Sequence, residues 1–127
     1  MQIIGLGSDI VECVRIRAMI DRHGEAFLAR TFTERELRYC QSRRQATEHF
    51  ASHWAAKEAV LKCLGVTGLR RTDIEVRCEL GAPPQVMLHA GAREQAEESQ
   101  IGELLLTISH CRTFAAATAI ALSGLPS

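Results

Sequence analysis

"DIEVRCEL", residues 73–80, alternates without a fault, with Ile74, Val76, Cys78 and Leu80 on one face and Asp73, Glu75, Arg77 and Glu79 on the other. Successive side chains of an extended chain point to opposite sides, so this period of two predicts a half-buried strand. The C-terminal part of the chain is also strand-like. "GAPP" is a turn signal, "QVMLHA" a second strand, "GAREQAEESQ" a short polar helix, and "ELLLTISH" and "TFAAATAIAL" two further strands. The N-terminal part is mostly helical. Ile3 to Asp9 reads as one strand containing two glycines, with Asp9 near its end, and a helix runs from Arg15 to about Phe32 with an interruption around Gly24. "TERE", Thr33 to Glu36, has the form of a capping box, with Phe32 and Leu37 placed for the accompanying hydrophobic staple. A longer helix is expected from about Thr47 to Leu64, ended by Gly65 in a left-handed conformation. Helices that cluster first and strands that cluster later predict an α+β fold, with helices packed on a largely antiparallel sheet.

The chain has 127 residues, no internal repeat and no linker-like tract, so a single domain over residues 1–127 is expected. Fifteen basic residues balance fifteen acidic ones, which argues against generic nucleic-acid binding, and no apolar run is long enough to span a bilayer. The N-terminus has no basic region before its apolar residues, so a cytoplasmic location is expected. Five cysteines, odd in number and without a C-x-x-C pair, are expected to be reduced and mostly buried. Charge is locally uneven. Between Arg15 and Arg44 eight arginines stand against four acids, which would suit an acidic partner protein or a solvated helix face.

"WAAKEAVLKCLG", residues 54–65, places Lys57, Glu58 and Lys62 inside an apolar helical run. At about 100° per residue, Ala56, Ala59, Val60, Cys63 and Leu64 form the core stripe. Glu58 and Lys62 fall together on the opposite side, beside the small residues Ala51 and Ala55 that leave room for a ligand. A surface Glu–Lys pair, worth roughly 0.3–0.5 kcal/mol, is one reading. The other is a site in which the carboxylate meets Mg²⁺ and the lysine meets a phosphate. His49 and His53, four apart, could together bind a transition metal, but Phe50 stands where a zinc-protease helix needs glutamate.

"GLGSDIVECVRI" (residues 5–16) joined to "WAAKEAVLKCLG" resembles the two signatures of the phosphopantetheinyl transferases, specifically the short holo-(acyl carrier protein) synthase type. The resemblance extends to "FTERELRYC", "TDIEV", the G-x-P of Gly81 to Pro83 and "TISHCRTFAAA", and so covers nearly the whole chain in order. It implies the phosphopantetheinyl transferase fold. It also implies an enzyme that moves the 4'-phosphopantetheine arm of coenzyme A onto a serine of an apo acyl carrier protein and releases 3',5'-ADP.

By the same resemblance, Asp9 and Glu58 are the Mg²⁺ ligands and Lys62 lies on the pyrophosphate side, these three making up the catalytic set. Lys57, Pro83 and His110 are expected near coenzyme A, and Arg15 and Arg22 on the helix that meets the acidic carrier. Glu58 is also a candidate base for the serine proton. Glu36 matches the family pattern, but the capping box assigns it a structural role. Three positions depart from the family: His53 where arginine is frequent, Trp54 for the usual Phe, and Cys111 in place of a polar residue after His110. A homotrimer with active sites between subunits is the implied assembly. A non-catalytic module that docks an acidic protein is the alternative, and it would need Arg15 but neither Asp9 nor Glu58.

Overall fold

Two antiparallel sheets and five α-helices make up the computed structural model, which describes residues 1–124. Strand β1 (Ile3–Glu12) leads into helices α1 (Cys13–His23), α2 (Glu25–Thr31), α3 (Glu34–Gln41) and α4 (Ala46–Leu64). A 3₁₀ turn (Arg71–Asp73) then precedes β2 (Ile74–Arg77), β3 (Gln85–Leu88), α5 (Ala90–Glu98), β4 (Ile101–His110) and β5 (Phe114–Ser123). The predicted order of elements holds, and the sheets are antiparallel throughout: β1-β5-β4 in one and β2-β3 in the other.

The punctuation residues act where the sequence places them. Gly24, at φ 53°, separates α1 from α2, and Gly65, at φ 70°, ends α4 in the left-handed region. At the start of α3 the Glu36 amide donates to Thr33 Oγ1 and the Thr33 amide donates to Glu36 Oε1, so the capping box is complete.

Helix α4 is the centre of the molecule. Its Ala59 and Cys63 stripe lies on the β1-β5-β4 sheet, against a row of buried alanines, Ala115, Ala117, Ala119 and Ala121. Its opposite side packs on α1, α3 and β2, with Phe27, Phe32, Phe50 and Trp54 forming a linked aromatic cluster. The expected core stripe is buried, but so are Ala51 and Ala55. Because α4 is covered on two sides, the room expected beside those alanines is filled by protein.

Two strand readings change. "DIEVRCEL" is a strand only over Ile74–Arg77, and Glu75 is buried with its neighbours because Arg77 and His89 pair with its carboxylate. Beyond Arg77 the chain turns away, the Ala82 amide donating to the Glu79 carbonyl, and Leu80 is 98% exposed. Strand β1 runs on to Glu12, which makes Asp9 an interior residue of the strand.

Candidate active site

Backbone contact between β1 and α4 builds the site. Gly5, Gly7 and Asp9 alternate onto the same face of β1. A Cβ on Gly7 would lie 1.9 Å from the Ala59 carbonyl oxygen, and one on Gly5 2.7 Å from that of Cys63. Only glycine permits this approach, and it carries Asp9 to the helix surface that bears Lys62. Lys62 Nζ donates to the Ser8 carbonyl at 2.6 Å and to Asp9 Oδ1 at 3.3 Å. One turn earlier, Glu58 Oε1 accepts from Arg71 Nε at 2.6 Å, and the Arg71 guanidinium stands 4.4 Å from the Trp54 ring centroid. The structure thus brings Asp9 to Lys62, one helical turn along α4 from Glu58. The two carboxylate side chains are 20% and 22% exposed, so a ligand can reach both.

Two carboxylates supply hard oxygen donors. Among the described residues no three of His, Cys, Asp and Glu converge, so water and phosphate oxygens would have to complete a coordination shell at this place. That donor chemistry fits Mg²⁺, which keeps several waters and is usually held by one or two carboxylates plus substrate phosphates. It does not fit a structural zinc site, which needs four protein ligands. The His49–His53 alternative fails on geometry. His53 is buried, its Nδ1 faces the His49 carbonyl at 2.9 Å and the Cys40 sulfur at 3.6 Å, and its Nε2 has no hydrogen-bond partner among the described residues. His53 therefore does not stand at the site as a substitute for arginine.

Lys57 is a correction. It does not reach solvent: its side chain is 0% exposed, and its ammonium meets Glu36 Oε1 at 2.6 Å, the Arg71 carbonyl at 2.9 Å and the Ile74 carbonyl. All three donors are used, so no proton is left for a coenzyme A contact. Burial draws the Lys57 pKa below the ordinary lysine value, with the Glu36 charge opposing. Glu36 also accepts from the Val76 amide at 2.9 Å, which ties α3, α4 and β2 through one buried pair.

His110 closes β4 on the same sheet face as Asp9. In the register Asp9 pairs Ala117, which pairs Ile108, while Val11 pairs Ala115, which pairs His110, so His110 lies one pair further along on the far strand. Its Nδ1 is 2.7 Å from Glu48 Oε1, the partner that Cys111 could not be, and its ring centroid is 5.3 Å from that of His49. Glu48 and Glu58 are about 15 Å apart along α4, so a ligand that touches both ends must be extended. Pro83 is elsewhere. It lines a cleft of about 460 Å³ with Pro84–Met87 and Gly102–Leu106, at the opposite end of β4 from His110. Arg15 and Arg22 are exposed on one stripe of α1, with no ion pair of their own among the described residues.

Three site residues were not singled out in the sequence. Gly7 carried a signal, as the glycine two residues before Asp9. Arg71 and Glu48 carried none, because each acts through a partner on a distant segment.

The family model for the 4'-phosphopantetheinyl transferase superfamily matches residues 5–119. The chain is 44% identical over 119 residues to the holo-[acyl-carrier-protein] synthase of Rhodopirellula baltica, an alignment covering 92% of this chain and 95% of that protein. It is similar in structure to the holo-[acyl-carrier-protein] synthase of Neisseria meningitidis, with TM-score 0.87, 28% identity and coverage of 96% and 100% of the two chains. The Helicobacter pylori synthase in complex with coenzyme A superposes with TM-score 0.80 at 29% identity, over 92% of this chain and 99% of that one. By these matches, the chain belongs to the 4'-phosphopantetheinyl transferase superfamily, among its holo-[acyl-carrier-protein] synthases.

Proposed function

We propose that this protein transfers the 4'-phosphopantetheine group of coenzyme A to a serine of an apo acyl carrier protein. In the reaction the serine oxygen forms a bond to the β-phosphorus and the bridging P–O bond breaks. The 3',5'-ADP leaves with the electron pair, and the serine proton passes to a base, for which Glu58 and water are the candidates. The observation that carries this reading is the contact of Asp9 with Lys62, one helical turn along α4 from the Glu58–Arg71 pair, which sets two partly exposed carboxylates beside two cations. Asp9 and Glu58 would hold Mg²⁺, which when bound neutralises pyrophosphate charge and stabilises the leaving oxygen. Lys62 stands where it can meet a phosphate as a point charge. His110, oriented by Glu48, would contact a more distant part of coenzyme A.

Arg15 and Arg22 are proposed to dock the acidic face of the carrier. Pro83 is placed in a cleft apart from the carboxylates within one chain, which active sites shared between subunits would reconcile. A homotrimer is supported by the outer face of the β1-β5-β4 sheet, where Ile3, Leu6, Ile10, Leu105 and Phe114 are uncovered. The accompanying cell role is carrier activation for fatty-acid and lipid synthesis in the cytoplasm; among the described residues no helix is long and apolar enough to cross a membrane.

The test is mass spectrometry of an apo carrier protein incubated with the enzyme, coenzyme A and Mg²⁺. The phosphopantetheine mass should appear with wild type and be lost with Asp9→Asn and with Glu58→Gln, while both variants stay folded. No mass gain across a panel of carriers, under conditions where a known transferase works, would refute the reading. Near-normal rates in either variant would remove that carboxylate from the metal site.

A further inference from the structure

The ion pair between Arg71 and Glu58 is not anticipated by the signatures or by the helical wheel. Its two members come from different places, Glu58 from α4 and Arg71 from the 3₁₀ turn, and they meet at 2.6 Å. The Arg71 guanidinium rests on the Trp54 ring, and its main-chain carbonyl accepts from the buried Lys57 ammonium at 2.9 Å. The backbone of Arg71 is therefore anchored in the interior. Its side chain, 38% exposed, can swing across the Trp54 surface. Lys62 stands in the same relation to Asp9, at 3.3 Å, so the four charges of the group cancel.

A divalent cation on the Glu58 carboxylate would sit close to the Arg71 guanidinium and repel it, so metal binding weakens the hold of Arg71 on Glu58 Oε1. A guanidinium displaced from a carboxylate needs another anion, and its planar fork matches phosphate oxygens as well as carboxylate oxygens. We propose that Arg71 is a phosphate-binding residue that exchanges partners: it holds Glu58 until a divalent cation takes that carboxylate, and then contacts the pyrophosphate of coenzyme A. The exchange couples the two ligands. A metal ion alone binds against the charge of Arg71, whereas with coenzyme A present the guanidinium gains a new anionic partner. Each ligand therefore tightens the other by the same factor. This inference rests on the transferase reading and deepens it by naming a substrate contact.

The experiment is calorimetric titration of wild type, Arg71→Met and Arg71→Lys with Mn²⁺ alone, with coenzyme A alone, and with each in the presence of the other. Methionine keeps an unbranched apolar stem against Trp54 and removes the charge. Arg71→Met is expected to bind Mn²⁺ alone roughly two- to fivefold more tightly, the scale of a released, partly exposed ion pair. It should bind coenzyme A with Mn²⁺ about fivefold or more weakly, and the coupling factor should fall toward one. Arg71→Lys, which keeps the charge without the fork, should restore the weaker Mn²⁺ binding and only part of the coenzyme A affinity. A wild type that binds both ligands beside an Arg71→Met protein with unchanged Mn²⁺ affinity, or with unchanged coupling, overturns the role of Arg71 alone. A wild type that binds neither ligand and modifies no carrier overturns the transferase reading and this exchange with it.

Discussion

Gly7→Ala tests how the site is assembled. The added Cβ would lie 1.9 Å from the Ala59 carbonyl oxygen and 2.9 Å from Lys62 Cβ, and the carbonyl belongs to the backbone of a buried helix that cannot rotate out of the way. Ordinary contact begins at 3.4 Å, so β1 and α4 must separate locally by about 1.5 Å, the difference between 3.4 and 1.9 Å. Overpacking of this kind costs about 1–3 kcal/mol, and the small Ala–Gly interface has no flexible side chain to absorb it. The consequence for activity should be larger than for stability. Asp9 lies two residues along the displaced strand, and a misplacement of about 1 Å at a reacting centre can cost about 100-fold in rate. Urea unfolding should show the stability loss, and the carrier mass-shift assay, run where the variant is still folded, should show a rate lowered by about that factor. Gly24→Ala is the control: its φ of 53° makes any side chain strained, but no atom lies within 4 Å of the added Cβ. It should cost about 1–3 kcal/mol and leave turnover unchanged. A Gly7→Ala enzyme with wild-type midpoint and wild-type rate would refute the argument that glycine at this position sets the β1–α4 distance.

Removing one member of the buried pair in Glu36→Ala leaves the Lys57 ammonium uncompensated and should destabilise by about 3–5 kcal/mol in urea, whereas a loss under about 1 kcal/mol would show that the pair is not holding α3, α4 and β2 together. Burial lowers the pKa of His53, and burial and the nearby His110 lower that of His49, from the ordinary 6.5. The unfolded chain therefore takes up these protons at a higher pH than the folded one, and stability present above about pH 6.5 is lost as pH falls below it, by up to about 1.4 kcal/mol per pH unit for each histidine. The slope of stability between about pH 7 and 5 should be shallower in His53→Leu; an unchanged slope would exclude His53 as a contributor. Leu6→Asp, on the uncovered face of β1, should lower the light-scattering mass to that of one chain if that face is the subunit contact, and an unaltered oligomer would place the contact elsewhere.

Local features of the chain were legible wherever the physics is local. The capping box needs only Thr33 and Glu36 three residues apart, the end of α4 needs only a glycine that tolerates a left-handed backbone, and the spacing of Glu58 and Lys62 follows from helical periodicity. The signatures around Asp9 and Glu58 pointed to the family for the same reason, since each is a short, continuous stretch. Four things depended on contacts between distant segments. "DIEVRCEL" alternates as a half-buried strand should, yet Glu75 is buried and Leu80 exposed, because Arg77 and His89 cover one and the turn lifts the other away. The family resemblance sets Lys57 near coenzyme A, and the lysine proves structural once α3 brings Glu36 to it. Ala51 and Ala55 look like open space until neighbouring elements fill it. Arg71 could be tied to Glu58 only when the 3₁₀ turn and α4 were seen side by side, 13 residues apart in the chain and 2.6 Å apart in space. The elements, their punctuation and the family were therefore already present in the order of residues along the chain. Which charges are buried as pairs, and which remain at the site, was settled only by folding, because the desolvation and pairing of a charge depend on what other segments bring to it.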